Sequence, residues 1–294
     1  MTTFARSTVE LTEIRARQPH RVTELLASRR RRELVPDDGR LMLVACDHPA
    51  RGALSVRGRA DAMHDRADLL DRLQTALARP GVDGLLATAD IVEDLLLLGA
   101  LEEKVVITSM NRGGLSGSCF ELDDRMTAYD VRATLEGGFN GGKMLARIDL
   151  DDAGTVSTLE ACGQAVTELG RAGLVAMLEP FMSSRKDGRV VNDLTPDAVI
   201  KSIHIGQGLG ASSAHTWLKL PVVEEMERVM TATTLPTLLL GGDPSGHPDE
   251  TYAEWAKALS LPSVRGLVVG RALLYPPDDE VAQAVDTAVS LVRP

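Results

Sequence analysis

Aromatic residues are scarce in this chain: two Trp, three Tyr and four Phe, or 3% of 294 residues. Its core must therefore be aliphatic, and the abundant Ala, Leu and Val suit the layered interior of an α/β protein. Basic charge is also short. A net charge of −10 argues against a nucleic-acid partner, because phosphate backbones are bound by basic faces. The one basic run, Arg29-Arg30-Arg31-Arg32, ends a helix-like stretch, where the helix dipole favours cations. It reads as a solvated helix end. Three cysteines, Cys46, Cys119 and Cys162, cannot all pair and lack metal-ligand spacing, as expected in a reducing compartment. No apolar run approaches the ~20 residues of a membrane span. Charges run through the first 20 residues, unlike a signal peptide. A cytoplasmic protein with no membrane partner is expected. His48, His64, His204, His215 and His247 are scattered without H-x-x-H or H-x-H spacing, so no metal is expected.

What the chain does have is a regular alternation. Short apolar runs at 41–46, 83–87, 104–108, 142–148, 174–178, 214–219, 236–240 and 266–269 predict strands. Between and after them, amphipathic stretches at about 61–79, 89–101, 127–136, 155–172, 196–209, 222–233, 248–258 and 278–292 predict helices. The strand runs are continuously apolar rather than alternating, the pattern of parallel strands covered on both faces. Eight such units, with no Pro-, Gly- or Ser-rich linker and no G-x-G-x-x-G after the first strand, predict a (β/α)8 TIM barrel of the α/β class. Residues 1–294 read as one domain, of which about 1–38 form an N-terminal helical extension.

In such barrels the chemistry gathers at the C-terminal ends of the strands. There the sequence places Asp47, Lys143, Glu179 and Lys219. A lysine at a strand-to-helix corner is ordinarily a surface residue. Two lysines converging with two carboxylates suggest instead a desolvated amine, held neutral beside a second cation and able to attack a carbonyl. A carboxylate would shuttle protons. After the seventh and eighth strands come Gly241-Gly242-Asp243 and Gly270-Arg271, where barrel enzymes commonly bind phosphate through backbone N–H groups. Arg271 could add a charge-assisted contact.

These segments together resemble the class I, Schiff-base aldolases of the deoxyribose-phosphate and tagatose-1,6-bisphosphate aldolase superfamily, the bisphosphate branch more closely. Ala45-Cys-Asp-His-Pro-Ala-Arg-Gly-Ala-Leu54 is similar to that branch's Asp-Gln-Arg-Gly-x-Leu, with two extra residues between the acid and Arg51. Gly142-Lys-Met-Leu, Leu178-Glu-Pro180, Trp217-Leu-Lys-Leu220 and Val268-Val-Gly-Arg-Ala272 resemble its later strand-end motifs, in order from about 40 to 290. The chain also looks like an actinobacterial subgroup linked to sugar or inositol breakdown. The resemblance implies a Schiff base on Lys219, proton transfer by Glu179, and Lys143 and Asp47 holding hydroxyls and tuning the amine. It implies no cofactor, and cleavage of a phosphorylated ketose or keto-sugar acid to dihydroxyacetone phosphate and an aldehyde. Arg51, Gly241, Gly242, Gly270 and Arg271 are the expected substrate and phosphate contacts, and a homo-oligomer is expected. A phosphate-binding isomerase or synthase using acid–base chemistry alone, and a non-catalytic sugar-phosphate-binding protein, remain alternatives.

Overall fold

The apolar runs become strands because each has two buried faces to fill. The computed structural model describes residues 4–242 and 248–294. Its strands are β1 (Leu41–Cys46), β2 (Gly84–Ala87), β3 (Val105–Ser109), β4 (Gly141–Ile148), β5 (Val175–Lys186), β6 (Arg189–Asn192), β7 (Thr216–Pro221), β8 (Thr237–Leu240) and β9 (Val264–Val269). All but β6 are parallel neighbours in the order β4-β3-β2-β1-β9-β8-β7-β5, and β4 pairs with β5 to close the ring. This is the predicted (β/α)8 barrel.

Alternate residues face opposite sides of a strand. Leu41, Leu43, Ala45, Leu86, Val105, Ile107, Val175, Met177, Leu238 and Val268 cluster inside the ring. Their neighbours Met42, Val44, Cys46, Leu85, Val106, Ala176 and Leu178 pack outward in a larger cluster beneath the helices. That parity decides the site. Asp47 is the next inward position after Ala45, Ser109 after Ile107, Glu179 after Met177 and Lys219 after Trp217.

The helices are α1 (Thr8–Arg17), α2 (His20–Ser28), α3 (Arg66–Leu77), α4 (Ala89–Leu97), α5 (Val131–Glu136), α6 (Gly154–Arg171), α7 (Pro196–Gln207), α8 (Met226–Met230), α9 (Pro248–Leu259), α10 (Arg271–Leu274) and α11 (Val281–Val292). Several are shorter than expected, for local reasons. The side chain of Asp65 accepts the Ala67 and Asp68 N–H groups and starts α3 there rather than at 61. Asp130 likewise caps α5. The helix expected over 222–233 is reduced to α8, which follows Glu225 in a left-handed conformation (φ 53°).

Arg29 corrects the reading of the basic run. It is buried, not solvated, and donates to the carbonyls of Leu101 (3.3 Å), Lys104 (2.9 Å) and Gly138 (3.1 Å). Its guanidinium lies 5.7 Å from the Phe139 ring centroid. Arg32 pairs with Asp83 at 3.1 Å, so the N-terminal extension is tied to the base of the barrel.

The segment between the fifth predicted strand and its helix, 179–195, is also more regular than the apolar pattern indicates. β5 runs on past the barrel and turns back as the antiparallel β6. Asp187 (φ 50°) and Gly188 (φ 77°) form the turn, the Asp-Gly pairing that two-residue hairpins favour.

Candidate active site

Three of the four predicted groups sit on adjacent barrel strands and the fourth just beyond another. Lys219 lies on β7, Glu179 on β5, Lys143 on β4, and Asp47 follows β1. Lys143 is the third residue of an eight-residue strand, not its end. Because β3 stops early, Lys143 is level with Ser109, the last residue of β3. The Lys219 amine is 3.0 Å from Glu179 Oε1, and the Lys143 amine contacts Glu179 Oε2. Lys143 Nζ also donates to Asp47 Oδ2 at 2.9 Å. The structure thus joins all four in one buried chain.

A fifth member was not anticipated from sequence. Arg112, three residues beyond β3, donates from Nη1 to the Asp47 carbonyl at 2.9 Å and places Nη2 3.1 Å from Asp47 Oδ2. Ser109 Oγ donates to the same carboxylate oxygen at 3.1 Å. Arg112 is 7% exposed, so it reaches inward from its loop. Strand alternation gave no signal for it, because continued from Ser109 it would turn residue 112 outward.

Charges this deep are tolerable because each is paired. Burial opposes ionisation of Glu179, but Lys143 and Lys219 overcome it and bring the carboxyl down to about 2. For Asp47 burial likewise acts upward, and Lys143, Arg112 and Lys219 prevail, holding it well below the usual carboxylate range. Burial dominates at Lys143, lowering its amine to about 8 although Asp47 and Glu179 act the other way. Glu179 and Asp47 are therefore acceptors at neutral pH, and Lys143 is near its titration point.

Above the cluster opens a cavity of about 620 Å³. Lys219 and Glu179 line it; so do Gly241, Gly242, Gly270 and Arg271. Lys143 and Asp47 do not line it and support it from behind. Gly270 has a packing reason of its own, since a Cβ there would run into the Ala45 carbonyl. Asp243 and His247 lie outside the described residues. Arg51 also borders the cavity, but its guanidinium is committed elsewhere. It pairs with Asp124 and donates to the carbonyls of Asn111 (3.1 Å) and Gly114. The two extra residues after Asp47 explain this: Pro49–Arg51 coil into a 3-10 turn ended by Gly52 at φ 74°, which swings Arg51 toward the loop after β3. His48 lines the cavity with Nδ1 3.6 Å from Asp47 Oδ1. Among the described residues, no group of three or more His, Cys, Asp or Glu is arranged to hold a metal ion, and no helix is long and apolar enough to cross a membrane.

The fold is a (β/α)8 barrel that carries a buried charge cluster on its strands. The chain belongs to the Cgl0159-like family, whose model matches residues 39–289. It is similar to the crystal structure of Cgl0159 from Corynebacterium glutamicum, at 56% identity over 99% of each chain and a TM-score of 0.95. No curated protein matches it. More distant is an archaeal fructose-1,6-bisphosphate aldolase with its catalytic Lys covalently bound to the carbinolamine intermediate of the substrate. It shows 18% identity over 92% of this chain and 99% of that one, TM-score 0.65. The fructose-bisphosphate aldolase of Slackia heliotrinireducens shows 15% identity over 86% and 81%, TM-score 0.64. At these identities the likeness is one of fold.

Proposed function

We propose that the protein is a metal-independent class I aldolase that cleaves a phosphorylated ketose or keto-sugar acid through a Schiff base on Lys219. The observation that carries this reading is the buried Lys219 amine, 3.0 Å from Glu179 on a cavity wall. The unprotonated amine adds to the substrate ketone, and the resulting carbinolamine loses water to give an iminium. The hydroxyl on the far side of the scissile bond then loses its proton. That bond's electrons flow into the iminium, releasing an aldehyde and leaving an enamine. Protonation at carbon and hydrolysis return the free amine and release a ketone such as dihydroxyacetone phosphate. Glu179, ionised at rest, begins as the proton acceptor. Gly242, Gly270 and Arg271 would hold the phosphoryl group at the other edge of the cavity. The archaeal aldolase with its lysine adduct supports the reading by analogy of fold, and the Corynebacterium relative supports an actinobacterial subgroup.

The test is reduction with borohydride in the presence of dihydroxyacetone phosphate, read by intact mass and peptide mapping. A reduced adduct on Lys219 is the expected result. Turnover of sugar phosphates without any adduct would point to acid–base isomerase chemistry, and binding with neither adduct nor turnover to a sugar-phosphate-binding protein.

A further inference from the structure

The charges at the site form a line, Arg112–Asp47–Lys143–Glu179–Lys219, alternating in sign and joined at each step by an ion-pair contact. It begins and ends on a cation. Three positive groups therefore face two negative ones in a buried setting, where an unbalanced charge is costly. Among the described residues, the neighbouring charged groups do not repair the count. Arg51 and Asp124, which also face Arg112, are paired with each other. Arg147, on β4 above Lys143, is paired with Glu121. Burial lowers the pKa of His48, favouring the neutral ring, while Asp47 acts the other way. Arg271 stands beyond His48 and is positive as well.

Only the lysines can relieve the excess, because a guanidinium does not deprotonate in proteins. We propose that Arg112 is a positioning residue that sets the protonation of the cluster: as a cation that cannot be discharged, it leaves one of the two lysine amines neutral in the resting protein. This inference rests on the Schiff-base reading only for its consequence, the supply of a nucleophile. The arrangement itself is rigid. The Arg112 N–H is accepted by Thr127 Oγ1 at 3.2 Å. Adjacent Asn111 is strapped to β4, donating to the Leu145 carbonyl at 2.6 Å and accepting its N–H at 2.8 Å. Burial is the main cause that lowers Lys143 to about 8, against the pull of Asp47 and Glu179, and Arg112 is among the cations that act in the same downward sense. Lys143 bridges both carboxylates, so a change in its charge is felt along the whole line.

The test compares wild type, Arg112→Gln and Arg112→Lys. The rate of borohydride-trapped adduct with dihydroxyacetone phosphate is measured against pH, and the lysine side chains are titrated without substrate by heteronuclear NMR. Arg112→Gln leaves two cations for two anions, which favours both ammonium forms. Its rate should fall at neutral pH and recover in alkali, the acid limb moving up by about one to two pH units, as expected for a unit charge at this range. Arg112→Lys, keeping a cation, should restore most of the profile. A uniform loss of rate with no shift would overturn the proposal and make Arg112 merely structural. If wild type gives no adduct, the Schiff-base reading fails, and the titration alone then decides. One buried amine neutral in weak alkali in wild type, and both protonated in Arg112→Gln, supports the role; identical titrations refute it. Should Arg112→Gln not fold, two fully protonated buried amines in wild type under those conditions would be enough to refute it.

Discussion

Lys219 and Lys143 are 76 positions apart in the sequence but one carboxylate apart in space, since both contact Glu179. Lys219 lines the cavity and Lys143 does not, so on the Schiff-base reading Lys219 is the amine expected to meet a substrate carbonyl. Lys219→Met should abolish turnover and adduct while preserving the circular-dichroism spectrum. A mapped adduct on Lys143 would exchange the roles of the two. Glu179→Gln should slow turnover by about 10²–10⁴-fold, the usual loss for a positioned acid–base group, yet still give a trappable adduct. An unchanged pH–rate profile in that variant would pass proton transfer to another group. Arg271→Ala should lower kcat/KM by roughly 10- to 100-fold for phosphorylated substrate, as for loss of a charge-assisted contact of about 1.5–3 kcal/mol. Unphosphorylated sugar should be little affected. Equal losses for both would assign Arg271 to the fold.

At the scale of elements, the ends of the strands explain why so much of the cluster was legible. Each apolar run that feeds the cluster carries a charged residue at or near its end, and in the structure the inward side of the strand receives it. Arg112 escaped notice because it lies in the irregular segment between β3 and α5, where no period applies. Arg51 was legible as a residue of interest but not in its contacts, since Asp124, the partner that its 3-10 turn carries it to, lies 73 residues further along the chain. Arg29 was misread because a run of four arginines gives charge but not the carbonyls waiting for one of them. The hairpin is the opposite case: Asp187-Gly188 carries a turn signal, but the polar Ser184, Arg185, Lys186 and Arg189 beside it do not read as buried strand. That hairpin places Asn192 on the cavity wall, and Phe181 on the overrunning part of β5 joins it. Gly188→Val forces a β-branched residue to φ 77°, which should cost on the order of 1 kcal/mol or more locally. The expected outcome is a higher KM for the full substrate with near-normal adduct formation from dihydroxyacetone phosphate. Unchanged steady-state kinetics would detach the hairpin from substrate binding.

For the whole molecule, the buried charge line ties stability to pH. Burial raises the Glu179 carboxyl, but the two lysines outweigh it and the folded value falls from 4.5 to about 2; Asp47 is lowered in the same sense. A carboxyl with a depressed folded pKa stabilises the native state above its unfolded value, and that contribution is lost as pH falls through the folded one. The window for Glu179 therefore runs from about 4.5 down to about 2, and its full size is about 3 kcal/mol. Among the described residues, Lys143 is the one cation that contacts both carboxylates. Lys143→Met would leave them under-compensated, a change that typically costs about 3–5 kcal/mol for a broken buried pair. The variant should be markedly less stable than wild type at pH 7. Its carboxyls, no longer held down by Lys143, should take up protons at higher pH, so the gap to wild type narrows as acid is added through that window. Urea unfolding of both proteins from pH 7 to pH 3 measures this directly. A gap that stayed constant with pH would mean that Lys143 stabilises the barrel by packing its alkyl stem rather than by balancing the two carboxylates.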